Sequence, residues 1–165
     1  MASRSSVRLL EPLVAMLAVA SIALLVALPG QGERATRDRD LMDGLGRLRT
    51  AVWHYGLDHR TPSGPALPGQ DGTVETLIAQ LTGLSDRDGR PRAVGDAAGG
   101  RYYGPYLEGV PTNPRNGLAT IRVAPLVADR PEPDGSAGWI YLPRTGAVYP
   151  DLPWRDRDGV AYDEY

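Results

Sequence analysis

With no cysteine in the chain, any chemistry must come from carboxylates, histidines and hydroxyls. Thiolate nucleophiles, cysteine metal sites and disulfide frameworks are excluded at the outset. Both histidines, His54 and His59, fall close to Asp58. His54 and Asp58 stand four residues apart, one helical turn, a spacing at which imidazole and carboxylate can share a metal. The competing reading is a polar helix terminus, where imidazoles suit the negative end of the dipole. A second group, Asp156-Arg157-Asp158-Gly159 with Asp151, Asp163 and Glu164 nearby, offers the oxygen ligands calcium takes. It lacks EF-hand spacing, and Arg155 and Arg157 offset the charge of the acids, which favours a solvated tail. Trp139, Tyr141, Tyr149 and Trp154 could stack a ligand, but their placement along short apolar runs favours packing within a sheet. No nucleophile elbow, dinucleotide loop or P-loop is present, and no pair of acids is arranged for acid–base work. The chain is expected not to be an enzyme.

The elements that would position these residues begin with Val7 to Leu57. Leu9 to Leu28 is apolar apart from Glu11 and Ser21. A bilayer-spanning helix needs about 20 residues at about 1.5 Å each, so the span is comfortable only if Leu9 to Pro12 also approach the membrane. Glu11 is then at or inside the membrane boundary, where a carboxylate is a functional hypothesis with a missing partner. Headgroup water or Arg8 is the plainer partner. Three readings compete for the segment: a cleaved signal peptide, a plain anchor and a pilin-type N-terminus. Its apolar core meets or exceeds the about 7–15 residues of a signal peptide, and no clean Ala-x-Ala site follows. Arg4 and Arg8 precede the span and favour a cytoplasmic N-terminus, although Arg34, Arg37 and Arg39 follow it.

Ser6-Val7-Arg8-Leu9-Leu10-Glu11, running into Leu13-Val14-Ala15-Met16-Leu17, resembles the class III signal of type IV pilins and type II secretion pseudopilins. The resemblance implies cleavage by a prepilin peptidase between Ser6 and Val7. It also implies that Glu11, fifth in the mature chain, meets the new amine of a neighbouring subunit during assembly. Opposite charges in low dielectric attract strongly enough to guide register. Ser6 stands where the family prefers Gly, and Pro12 is tolerated only in a first helical turn, so the regular helix can begin near Glu11. Further along, Gly104-Pro105-Tyr106-Leu107, then Val110-Pro111-Thr112-Asn113-Pro114, then Gly138-Trp139-Ile140-Tyr141 with Thr145-Gly146, is similar to the loop and hairpin signature of major-pseudopilin-like proteins. Some of those bind calcium near the last strands, which makes Asp156 and Asp158 the calcium candidates. No other cofactor or metal is expected.

Beyond the apolar half, Pro29-Gly30-Gln31-Gly32 should interrupt the helix. Leu41, Leu45, Leu48, Val52 and Tyr55 then recur at alternating spacings of four and three, one stripe of a core-docking helix. Gly44 and Gly46 each cost that helix about 1 kcal/mol relative to Ala, which packing on a sheet must offset. A proline-rich loop follows from Gly56 to Gly72. Thr73 to Leu81 reads as a short helix capped by Asp71 or Thr73 and ended by Gly83. Leu118–Leu126, Gly138–Leu142 and Ala147–Leu152 read as strands, the last two joined as a hairpin through Pro143-Arg144-Thr145-Gly146.

These readings give an α+β, pilin-like fold, with a long N-terminal helix packed on a small antiparallel sheet of about three strands. The expected organisation is a leader-like cytoplasmic segment over 1–6, a transmembrane helix over 7–29 and a pilin-like periplasmic domain over 30–155. Residues 156–165 form an acidic, arginine-bearing tail, expected to be disordered. The resemblance implies a single-pass inner-membrane subunit of a type II secretion or type IV pilus-like filament. Its partners would be other copies, other pseudopilins, a prepilin peptidase and an inner-membrane assembly platform. The net charge of −2 gives no electrostatic case for nucleic acid. The alternatives are a membrane-anchored extracytoplasmic binding module that does not polymerise and, with less behind it, a tethered enzyme or metal protein using His54 and His59.

Overall fold

The computed structural model describes residues 31–92, 100–156 and 158–165. The expected leader, the transmembrane span over 7–29 and Glu11 lie outside the described residues, and no described helix is long and apolar enough to cross a membrane. Contacts divide the chain into two units, Met1–Arg37 and Asp38–Tyr165. In the first, the described residues form the opening turns of helix α1 (Gln31–Asp58), with Thr36 donating to the Gly32 carbonyl and Arg37 pairing with Glu33 one turn back.

In the second unit α1 carries the stripe the sequence predicts. Leu41, Leu45, Leu48, Val52 and Tyr55 are all buried, joined by Ala51, because helical periodicity puts them on one face. That face packs with Trp139, Tyr141, Val148 and Leu152 in the main core. Gly44 permits the closest approach: a β-carbon there would stand 3.1 Å from the Trp139 ring. The glycine that weakens the helix is therefore where the Trp139 indole fits, its Nε1 donating to the Pro111 carbonyl.

After α1, Arg60–Thr61 (β1) and Gly64–Pro65 (β2) make a short antiparallel hairpin within the expected loop. Helix α2 (Val74–Thr82) starts where predicted, with Thr73 Oγ1 accepting from Thr76 N and the Asp71 carboxylate holding Thr73 N and the Thr76 hydroxyl. Leu77 and Leu81 join the core. The sheet comprises Ile121–Val123 (β3), Trp139–Leu142 (β4) and Ala147–Pro150 (β5), in the order β3-β4-β5.

The sheet corrects one expectation. β4 and β5 form the predicted antiparallel hairpin, but β3 runs parallel to β4, so the sheet is mixed and not an antiparallel meander. The segment after β3 turns at Pro125–Ala128 and returns to where β3 began, so that Gly138 N and Trp139 N both donate to the Thr120 carbonyl. β4 thereby becomes the central strand, buried on both faces and free of polar alternation. Trp139 and Tyr141 face the main core, while Ile140 and Leu142 close a smaller cluster with Ala124.

The final residues correct a second. The expected disordered tail instead forms a 3-10 turn at Tyr162–Glu164, with Tyr162 buried in the main core and Tyr165 packed against it. Aromatic area outweighs the solvation of the flanking acids.

Candidate functional site

Ser6 and Val7, the expected processing residues, and Glu11, the expected assembly residue, lie outside the described residues. The described candidates divide clearly. His59 is buried, with Nδ1 3.0 Å from the Tyr55 carbonyl and Nε2 3.0 Å from Ser85 Oγ. A carbonyl can only accept, so Nδ1 carries the proton and Nε2 accepts from the serine. Tyr55 stacks on the imidazole at 4.0 Å, and burial, reinforced by Asp86, pushes the Tyr55 phenol up to about 12. With both ring nitrogens engaged inside the protein, His59 ties the end of α1 to the strap around Ser85. His54 stays exposed, its ring edge against Trp53, while Asp58 accepts from the Tyr106 hydroxyl at 3.0 Å. The three residues do not converge as ligands.

Asp156 shapes a turn. One carboxylate oxygen accepts from Asp158 N and Val160 N, both at 2.8 Å, and the other from the Tyr165 hydroxyl. The Tyr165 hydroxyl holds the Asp156 carboxyl below the usual range against the opposing effect of burial, and the backbone amides add to the lowering. Among the described residues no three histidines or acids are grouped to hold a metal. Trp139 and Tyr141 are buried in the sheet, as their alternation implies, whereas Trp154 is half exposed.

Asp151, which the sequence offers only as one of the acids near Asp156, is instead a buried carboxylate engaged within the fold. Asp151 accepts from Arg122 Nε at 2.9 Å and from the backbone amides of Asp134, Gly135 and Ala137. Burial would raise its carboxyl, but Arg122 and the three amides outweigh it and hold it at about 2. Its clue was an acid set within the apolar run Val148-Tyr149-Pro150-Asp151-Leu152.

Alongside exposed Leu126, Val127, Trp154 and Val160 elsewhere, one surface available to a partner is the outer face of α1. Met42, Trp53 and Leu57 are exposed there, Trp53 by 60% of its surface, although the opposite face is fully buried. Asp40, Asp43, Gly46 and Arg47 form one wall of an open groove of about 1170 Å³, with Leu107 and Glu108 on the other. Nothing lies within 4 Å of where a Gly46 β-carbon would stand, so the groove floor is open at that point. A second recess of about 310 Å³ lies among Val52, Trp53, Leu57, Pro65 and Leu67. Apolar side chains exposed on an otherwise polar helix face suit contact with another surface. Comparison with protein-family models, with curated proteins and with solved structures finds no match for the chain.

Proposed function

We propose that this chain is a structural, pseudopilin-like subunit of a type II secretion or type IV pilus-like filament. In this reading residues 7–29 anchor it in the inner membrane, with the N-terminus cytoplasmic and a pilin-like domain in the periplasm. The observation that carries the proposal is the division of labour on α1. Its inner face is wholly occupied by the core of its own domain, while its outer face leaves Met42, Trp53 and Leu57 exposed. An apolar stretch of membrane length precedes it in the sequence. A helix of that kind is suited to side-by-side packing with copies of itself, and its function would be mechanical.

Apolar helix faces around Leu13, Leu17 and Leu24 would supply the association free energy. Glu11, pairing with the α-amine of a neighbouring Val7, would set the register. A prepilin peptidase would create that amine, and an assembly platform and other pseudopilins would order the subunits.

The test is the N-terminal residue of the protein recovered from membranes with and without a prepilin peptidase. The proposal expects Val7 when the enzyme is present and Met1 or Ala2 when it is absent. It also expects Glu11→Ala to abolish cross-linked multimers while leaving membrane insertion intact. An uncleaved N-terminus in both cases, with self-association indifferent to Glu11, would replace the filament by a plain anchored binding module.

A further inference from the structure

A cleft of about 390 Å³ opens beside the end of α1, lined by Leu57, Asp58, Arg60, Arg87, Arg101 and Tyr103. Half of its lining residues are arginines, on a chain whose net charge is −2. Elsewhere arginines find acids: Arg37 pairs with Glu33, Arg115 with Asp38, Arg122 with Asp151 and Arg144 with Asp129. Arg60, Arg87 and Arg101 have no ion pair among the described residues.

The helix end explains only part of this charge. The carboxyl terminus of α1 carries roughly half a negative charge, and Asp58 adds one more, already engaged by the Tyr106 hydroxyl. Among the described lining residues, three guanidinium groups face one carboxylate and the helix end, a local excess of roughly one and a half positive charges, with Asp86 and Asp88 flanking Arg87 outside the lining.

The backbone beneath Arg60 and Arg87 is held in place, and the Arg101 side chain is oriented by its neighbour Tyr103. Arg60 opens the β1–β2 hairpin, whose far side returns Ala66 N to the His59 carbonyl. Arg87 stands on a tight turn in which the Asp86 carboxylate accepts from Asp88 N and Arg90 N, and Gln80 ties that turn to α2 through the Gly89 carbonyl. The Arg101 guanidinium lies 5.4 Å from the Tyr103 ring, an orienting cation–π contact. Tyr103 is held by paired backbone hydrogen bonds with Ser85, the residue that also engages buried His59. Guanidinium forks on settled supports are suited to an anion with several acidic oxygens, because each fork can make parallel charge-assisted hydrogen bonds.

We propose that the Arg60–Arg87–Arg101 cleft binds a phosphoryl group, with Leu57 and the Tyr103 ring accommodating the organic part of the ligand. A tetrahedral dianion offers oxygens in three directions, which a planar carboxylate does not. The volume is sufficient for a small phosphoester, near the lower end of the range for ligand pockets. A soluble phosphoester and a phosphatidic acid headgroup share this chemistry.

The experiment is calorimetric titration of the full chain, held in non-ionic detergent, with inorganic phosphate. Saturable binding at one site that weakens as salt rises is expected. Arg87→Gln and Arg101→Gln should each weaken it about ten-fold, while Arg130→Gln, an exposed arginine outside the cleft, should leave it unchanged. All three side chains are exposed, so the variants should fold, and an unchanged circular dichroism spectrum would verify it. Two further titrations separate the sources. Stronger binding to phosphatidic acid in mixed micelles than to glycerol 3-phosphate identifies a headgroup, and equal binding identifies a soluble phosphoester. Absence of saturable phosphate binding would overturn the proposal, as would an Arg130→Gln effect equal to that of Arg87→Gln.

Discussion

Replacing Asp151 by Asn should damage the domain more than an isosteric change normally would. One carboxylate oxygen accepts from Asp134 N and Gly135 N, the other from Ala137 N and Arg122 Nε. Whichever oxygen becomes the amide group, its hydrogens face at least two N–H donors, and the guanidinium loses its counter-charge. The Asp151 side chain is fully buried, while about a quarter of the Arg122 side chain meets solvent and partly softens the loss. At neutral pH the cost should be about 3–5 kcal/mol, as for other buried pairs that lose one partner.

Protonation gives an independent measure of the same interaction. The carboxyl is lowered from 3.8 to about 2, and about two pKa units correspond to about 2–3 kcal/mol. Because the folded-state value is the depressed one, this stability is fully present above the unfolded value. It is lost as pH falls from about 4 toward about 2. Denaturant unfolding of the full chain in mild detergent, followed through buried Trp139, should therefore show a wild-type acid limb that is steeper than that of Asp151→Asn. Asp71 and Asp156 are also lowered, but they titrate in both proteins and cancel in the difference. An Asn variant costing less than about 1 kcal/mol, or one with an equally steep acid limb, would refute the reasoning.

Other positions give sharper contrasts at smaller cost. Gly46→Ala, into open space, should stabilise the helix by about 0.5–1 kcal/mol, whereas Gly44→Ala, against the Trp139 ring, should destabilise it by about 1–3 kcal/mol, both read from denaturation midpoints. His59→Leu leaves Ser85 without its acceptor and the Tyr55 carbonyl without the imidazole proton, and should cost about 1–3 kcal/mol, with faster amide exchange at Ser85 and Tyr103. Thermal melts in calcium and in chelator should coincide, because Asp156 is already occupied by backbone amides and the Tyr165 hydroxyl, and a reproducible separation would reinstate the Asp156–Asp158 loop as a cation site.

The legible parts of the fold are those governed by a local period. The Leu41-to-Tyr55 stripe, the Thr73 cap and the β4–β5 hairpin all follow from residues within a few positions of one another. The parallel partner of β4 was not legible because residues 124–138 reverse direction through remote contacts. Asp151 collects amides from Asp134, Gly135 and Ala137, and Thr120 receives Gly138 and Trp139. Nothing in the spacing of those residues announces the convergence. The arginine cleft was hidden for the same reason, since Arg60 comes from β1 and Arg87 and Arg101 from two separate loops. Tyr162, within the expected tail, is buried in the main core, and the acids around it gave no sign of that.

A chain with 20 glycines and 15 prolines builds little regular structure, so its loops must be held by something other than ladders. Three buried polar side chains do that here. His59 binds the strap at Ser85, Asp151 gathers the 134–137 turn, and Asn113 donates to the Gly138 carbonyl while accepting from Arg115 N. Each satisfies backbone groups that a buried loop would otherwise leave unpaired, at a cost of about 1–3 kcal/mol per group. With the loops held in this way, α1 buries its inner face in the core. Met42, Trp53 and Leu57 can then remain exposed without weakening the core, the condition a helix must meet to pack against another copy.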